Sequence, residues 1–359
     1  MKLLHELCSL PTAPFAEGRV VEYVERFAKS RRLKLTRDEH GNLLLELPTR
    51  SRGPRWVFGA HMDHPGFVAT RMRNGKTLEA AFRGWVFADY VKGARVRFFD
   101  GDREITGVVK AVTNNPDRVE PIAGNAIVRV SGPVAPGSPG MFDQGEARTK
   151  GKRFYSRAID DLGGLASALQ MLDELRRKPP AAPVAVLLTR AEEEGFVGAV
   201  AASLKPKLLR KTDRIIAIET SAVQPYAPQG QGVIVRVGDK TSIFNSQLTY
   251  FLYQQADALA KRDKTFKYQR ALMPGGTCEA TIYDIYGFIA AAVCVPLGNY
   301  HNMDRERKRI GPEYIDLRDW RNMVKLFVQI ARNGHTYEPG HKLLKRRLET
   351  RFAKLKRFL

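Results

Sequence analysis

A chain of 359 residues is long enough for one large domain or two, with an ample core. Its 59 Lys and Arg against 38 Asp and Glu give a net charge of +21; this favours anionic partners, but no nucleic-acid-binding motif accompanies it, so a nucleic-acid partner is disfavoured while staying open. The three cysteines, Cys8, Cys278 and Cys294, are odd in number and far apart, which excludes a disulfide framework and paired zinc-finger spacing.

The opening residues are broken by His5, Glu6 and Pro11 and make a poor signal peptide. No apolar run approaches the roughly 20 residues of a bilayer span, so a cytoplasmic protein without a membrane span is expected. Glu17–Leu33 reads as a helix with Val20, Val24 and Phe27 on one face. Strands Leu33–Arg37 and Leu43–Leu47 follow, joined by a turn through Gly41 and Asn42. Trp56–Ala60 is an apolar strand running into His61-Met-Asp63-His64. On extended backbone His61 and Asp63 point to one side, so His61 can bind a metal while Asp63 orients a ligand by hydrogen bonding. Alone the pair is a weak signal.

From Val68 to Thr149 short β-like runs alternate with turns: Thr77–Phe82, Ala94–Phe99, Ile105–Val112 and Ala126–Val130. Their spacing predicts a small barrel or sandwich inserted into a larger α/β domain.

Asp160-Asp161 then stands at the head of a helix carrying Leu162, Leu165, Leu169 and Leu172, which stops before Lys178-Pro-Pro180. Asp161 reads as a helix N-cap, and Asp160 as a metal ligand only in company. Val184–Leu188 is a strand ending in Arg190-Ala-Glu192-Glu193-Glu194-Gly195, with a helix over Phe196–Leu204. Acids and a glycine turn at a strand's carboxyl end mark the edge where open α/β sheets keep their ligand crevices; a solvated acidic turn is the competing reading. Arg214–Ile218 also ends on an acid, Glu219. Pro225–Gly238 reads as a loop and Phe244–Lys261 as a helix. Met273–Ala280 is a glycine turn opening a helix, able to offer backbone N–H groups to a carbonyl or anion. Phe288–Val295 is a buried strand leading to His301, and Tyr314–Arg332 an amphipathic helix. From Gly340 to Leu359 eight Lys or Arg and one Glu surround Leu344, Leu348, Phe352, Leu355 and Leu359 at helical spacing. Such a helix suits an anionic surface, or docks on its own or a neighbouring subunit.

Four strand ends thus deliver His61, Glu192 with Glu193, Glu219 and His301, and Asp160 joins them from a helix start. Two histidines and three carboxylates suit a pair of zinc-like ions, with one carboxylate bridging. A further carboxylate must accept a proton from the attacking water, and Glu192 stands beside the ligand Glu193.

In this order the motifs resemble those of the glutamyl-aminopeptidase (tetrahedral, deblocking) family of dinuclear metallo-aminopeptidases, in the clan of zinc exopeptidases. The resemblance rests on Leu10-Pro-Thr-Ala-Pro-Phe-Ala-Glu17, Asp38-Glu-His-Gly-Asn42, Ala60-His-Met-Asp63, Ala158-Ile-Asp-Asp161, Glu192-Glu-Glu-Gly-Phe-Val-Gly-Ala199, Ile218-Glu219 and Val295-Pro-Leu before His301. It implies a mixed central α/β sheet flanked by helices, with the small β domain inserted. Residues 1–67 and 151–339 are then the catalytic domain, 68–150 the insertion (a lid or oligomer contact) and 340–359 a basic amphipathic helix. It implies two divalent ions, zinc first with cobalt or manganese as alternatives. Asp160 would bridge them, His61 and Glu219 would complete one site, and Glu193 and His301 the other. Glu192 would be the general base, with Asp63 supporting His61 and Glu194 left as an exposed acid. Peptide substrates and a homo-oligomer built from dimers, up to a dodecamer, follow from the same resemblance.

The chain departs from the family pattern at several places. His64 replaces a Glu, Leu162 an Arg, and Glu219 a more usual Asp. Cys278-Glu279 stands in Gly-Thr-Asp-Ala, and Gly298-Asn299-Tyr300 replaces Arg-Tyr-Met. Two other readings stay open at this stage: an amidohydrolase of N-acyl amino acids or small amides, and a catalytically silent relative that binds an acidic partner.

Overall fold

In the computed structural model, which describes residues 1–51, 53–205, 207–338 and 342–359, eight strands form a mixed sheet. Their order is Lys34–Arg37, Leu43–Glu46, Val184–Thr189, Trp56–His61, Arg214–Ala222, Ile289–Leu297, Val233–Gly238, Tyr268–Leu272. The four in the middle, from Val184–Thr189 to Ile289–Leu297, are parallel. Those at Trp56 and Val184 are buried at every residue, as a parallel sheet covered on both faces requires. Successive side chains alternate: Phe58 packs on Phe327 of helix Leu317–Asn333, with ring centroids 5.1 Å apart. The next residue, Gly59, faces Tyr283 of helix Glu279–Ile285 on the opposite side. Helices Lys2–Cys8 and Leu162–Arg177 line the Phe327 side, and Val197–Leu204 packs on the Tyr283 helix.

The insertion is a closed six-stranded barrel: Gly66–Asn74, Thr77–Arg83, Ala123–Val130, Arg103–Asn114, Arg95–Asp100 and Pro139–Phe142. Phe67, Phe82, Phe98 and Phe142 fill it, with Phe67 5.0 Å from Phe82 and 5.5 Å from Phe142. A Cβ at Gly140 would lie 2.5 Å from the Phe98 ring, so only glycine lets that strand close over the core. The barrel strands run from Gly66 to Phe142, inside the expected span except for two residues at its start. The chain leaves through Arg153–Ser156, which pairs with Glu313–Asp316 of the main domain.

Two expectations need correction, and four elements were not foreseen. Val233–Gly238, taken as the end of a loop, is a strand, because pairing with the buried Ile289–Leu297 outweighs the glycines and prolines before it. The helix expected from Tyr314 begins at Leu317; Glu313–Asp316 is a strand, and the Asp316 side chain accepts the Arg318 N–H as N-cap. Lys2–Cys8, Gly66–Asn74, Pro139–Phe142 and Tyr268–Leu272 are elements that the patterning did not announce. The C-terminal helix runs Lys342–Leu355, while residues 339–341, including the Gly340 boundary, lie outside the described residues. No helix of the described residues is long and apolar enough to cross a membrane.

Candidate metal centre

Parallel pairing sets the candidate ligands at one level. Thr189 lies beside His61, and Ala217 beside Gly59, so Glu219 reaches the height of His61 two residues later. The backbone turns sharply at each exit: Ala191 (φ 49°) and Phe196 (φ 63°) bracket the acid turn, and Asn299, His301 and Asn302 are also left-handed. Such strain, about 1–3 kcal/mol per residue, collects where side chains must be aimed at a site.

Every sequence-predicted ligand arrives in one cluster. His61, Asp160 and Glu219 offer donor atoms within 4.8 Å of one another, and so do Asp160, Glu193 and His301. Asp160 belongs to both triads. Its Oδ1 lies 3.5 Å from His61 Nε2 and its Oδ2 3.5 Å from His301 Nε2. Glu193 Oε2 is 3.3 Å from His301 Nε2. Glu192 Oε2 is 4.0 Å from His61 Nε2 and keeps an 11% exposed side chain, so it touches both the cluster and the opening.

These atoms fit divalent ions. Asp160 Oδ1, Glu193 Oε1 and His301 Nε2 are buried without a hydrogen-bond partner, although such groups are ordinarily satisfied. Donors held about 2.0–2.2 Å from one tetrahedral ion stand about 3.4 Å apart, the separation found here. The imidazoles are also set for it. His61 Nδ1 lies 3.1 Å from the Asp63 carbonyl and His301 Nδ1 2.7 Å from the Trp85 carbonyl. A carbonyl only accepts, so Nδ1 holds the proton and Nε2 turns its lone pair inward.

The electrostatics point the same way. Burial, then neighbouring carboxylates, push Glu192 well up from its ordinary range and Glu219 up to about 8. His61 and His301 are raised despite burial, by Glu192 and Glu193 respectively and by Asp160. Burial opposes the Asp160 charge, but His301 and His61 outweigh it and hold that carboxyl low. Acid outnumbers base in a closed space, a deficit that cations make good.

The candidate ligands are held by acceptors of backbone N–H groups. Asp63 does more than orient His61: its carboxylate accepts Glu192 N–H and Glu193 N–H, both at 3.0 Å. Glu17, fully buried, accepts Ala191 N–H at 3.1 Å and pairs with Arg190 at 2.7 Å. Asn42 Oδ1 accepts Arg190 N–H at 3.1 Å, and Thr12 donates to the Met62 carbonyl at 2.8 Å. The two N-terminal motifs therefore serve the acid turn. Sequence reasoning missed Glu313, whose Oε2 accepts Ile159 N–H at 2.7 Å and Asp160 N–H at 3.1 Å. Its Oε1 accepts His301 N–H at 2.9 Å. No local pattern announces an acid that works on backbone so far away.

Two side chains depart from expectation. Glu194 is not an exposed acid: it accepts the barrel's Gly84 N–H at 2.8 Å and faces Arg83 at 3.7 Å. Its place beside the barrel mouth leaves its side chain only 15% exposed. Asp161 occupies the N-cap position, but its side chain makes no cap bond, and both its oxygens are buried without partners. Among the departures from the family pattern, His64 lies 2.6 Å from the Asp160 carbonyl and 3.1 Å from Asn302 Oδ1, bracing the residue common to both triads. Glu279 is buried against the Thr189 and Tyr283 hydroxyls, and Tyr300 stacks on His301 with centroids 3.7 Å apart. Asn299 donates to the Pro312 carbonyl at 2.9 Å. In the glycine turn, Gly275, Gly276 and Thr277 line a small cavity with Glu219, Arg236 and Tyr300, beside the first triad.

A parallel sheet whose strand ends gather two acid–histidine triads around a shared carboxylate defines a metallohydrolase. Residues 41–326 match the M42 glutamyl aminopeptidases, and the chain belongs to that family. It is a metal-dependent aminopeptidase, a hydrolase of peptide bonds. In fold it is similar to the Pyrococcus horikoshii TET1 peptidase, described as assembling into a tetrahedron or a large octahedral shell. That likeness has a TM-score of 0.75 at 21% identity, covering 92% of this chain and 98% of the other. An aminopeptidase of the archaeon Desulfurococcus kamchatkensis gives 0.75 at 22%, over 92% and 94% of the two chains. A TET aminopeptidase from Thaumarchaeota archaeon SCGC AB-539-E09 gives 0.76 at 18%, over 92% and 96%.

Proposed function

We propose that the two triads hold two divalent ions, zinc first by the mix of imidazole and carboxylate donors, with cobalt or manganese as substitutes. His61 and Glu219 complete one site, Glu193 and His301 the other, and Asp160 is shared. The sharing of Asp160 carries the reading, because both its oxygens lie 3.5 Å from a histidine Nε2, one on either side. Held there, divalent ions would supply Lewis-acid polarisation of a peptide carbonyl and a water acidified toward a pKa of about 7. Glu192 is the general base: its carboxylate takes the water's proton and passes it to the leaving amine. Asp63 fixes Glu192 and Glu193 through their N–H groups, and His64 and Glu313 fix Asp160 and His301.

The substrate is the N-terminal part of a peptide. The barrel forms one wall of the site and serves as lid or subunit contact. The protein works in the cytoplasm as a homo-oligomer, a reading supported by the assemblies described for its fold relatives. The test is Glu192→Gln in protein loaded with zinc or cobalt, on a panel of aminoacyl anilides and N-acyl amino acids. Anilide hydrolysis should fall by about 10²–10⁴-fold with metal content unchanged. Normal turnover by the variant removes Glu192 from the role of base, and hydrolysis of the N-acyl compounds alone overturns the aminopeptidase assignment.

A further inference from the structure

We infer that the C-terminal helix, Lys342–Leu355 with its short continuation Lys356–Phe358, is a docking element for an anionic lipid surface. Its apolar residues Leu344, Leu348, Phe352 and Leu355 recur at i, i+4, i+8 and i+11, one stripe along about three turns. Its first turn stays beside the body, where Leu344, 41% exposed, shares a cavity with Tyr250 and Phe251; beyond it the stripe is open, with Leu348 58%, Phe352 59% and Leu355 46% exposed, and Phe358 and Leu359 continuing at 73% and 100%. A helix that folds onto its own body hides such a face, as Leu317–Asn333 does with Trp320, Val324 and Phe327.

Charge selects the occupant. From residue 342 onward the side chains comprise eight Lys and Arg and one Glu, a net of 8 − 1 = +7. Lys345, Arg347, Arg351 and Lys354 border the stripe on both sides, where long side chains carry their charges to a headgroup layer while the leucines sink beneath it. Two copies of this helix packed face to face would set two such charges within a helix width, in a protein already at +21. A nucleic acid offers phosphates, but no apolar phase for four aliphatic and aromatic side chains in a row. A bilayer containing acidic lipids offers both. The helix is about 21 Å long, so it lies on such a surface and does not span it. The site of hydrolysis is elsewhere on the chain, and docking at the tail leaves it free.

The test uses full-length, metal-loaded protein in flotation with vesicles of phosphatidylcholine alone, or with about one third phosphatidylglycerol. The protein should float with the acidic vesicles about tenfold more than with the neutral ones, and this excess should collapse in about 0.5 M salt. A Leu348→Glu, Phe352→Glu variant and a chain ending at Glu338 should both lose flotation while hydrolysing soluble anilides at the parental rate. Equal flotation of parent and variants overturns the proposal. So does retention of single-stranded RNA without flotation, or loss of the native assembly size in the variants without vesicle binding by the parent.

Discussion

Glu313 lies 154 residues from Ile159 and 12 from His301, yet its carboxylate accepts from Ile159 and its neighbour Asp160 at one oxygen and from His301 at the other. A group that receives N–H donors at both oxygens cannot be replaced by an amide, whose NH₂ end would face a donor. Glu313→Gln should therefore cost about 1–3 kcal/mol for the orphaned N–H and lower metal content, measured by denaturant unfolding and elemental analysis. Glu193→Ala and His301→Ala should lose metal with less loss of fold, since each removes a donor and leaves the loop acceptors in place. At this scale the donors were legible, and of their holders only Asp63. His61, Glu193, Glu219 and His301 follow apolar runs, so position in sequence announces position in space. Glu313, Glu17 and Asn42 act on backbone brought near only by folding, and an acceptor of backbone N–H groups has no sequence spacing to give it away.

The acid turn is the element on which the site depends. A Cβ at Gly198 would sit 2.5 Å from both the N and O of Arg190 and 2.7 Å from Asn42 Oδ1. Gly198→Ala should push the turn away from Asp63 and depress hydrolysis at least tenfold. Gly18→Ala, where a Cβ meets nothing within 4 Å, should be neutral or slightly stabilising. Equal behaviour of the two variants, compared by kcat and thermal unfolding, contradicts the close-packing argument. The parallel strands were readable as elements because they are apolar throughout. Tyr268–Leu272 was not, being an edge strand of Tyr-Gln-Arg-Ala-Leu with most of its residues half in solvent. Gly66–Asn74 was hidden for a related reason: its second half is largely exposed, so alternation fades.

For the molecule as a whole, the barrel and the sheet share one site. The Trp85 carbonyl orients His301, and Gly84 N–H meets Glu194, the third residue of the acid turn. Glu194→Ala should loosen that joint and weaken metal retention by about tenfold, read by competition with a chelator. The buried charges also link stability to pH. Glu219 at about 8 and Glu313 at about 7 bind protons more tightly folded than unfolded, and raised His61 and His301 act in the same direction. Stability of the chelated protein should then fall as pH rises from about 6 to 8, while loaded protein, whose ions replace those protons, should lose less. Parallel denaturant curves for the chelated and loaded forms at both pH values check this, and identical slopes with pH contradict it. The central claim is a pair of ions sharing Asp160, and titrating chelated protein with zinc while counting bound ions and anilide turnover tests it most directly. The account predicts two ions per chain and activity that rises with the second, with Asp160→Asn failing to retain the pair. Full activity at one ion per chain, or two ions held tightly by Asp160→Asn, would contradict it.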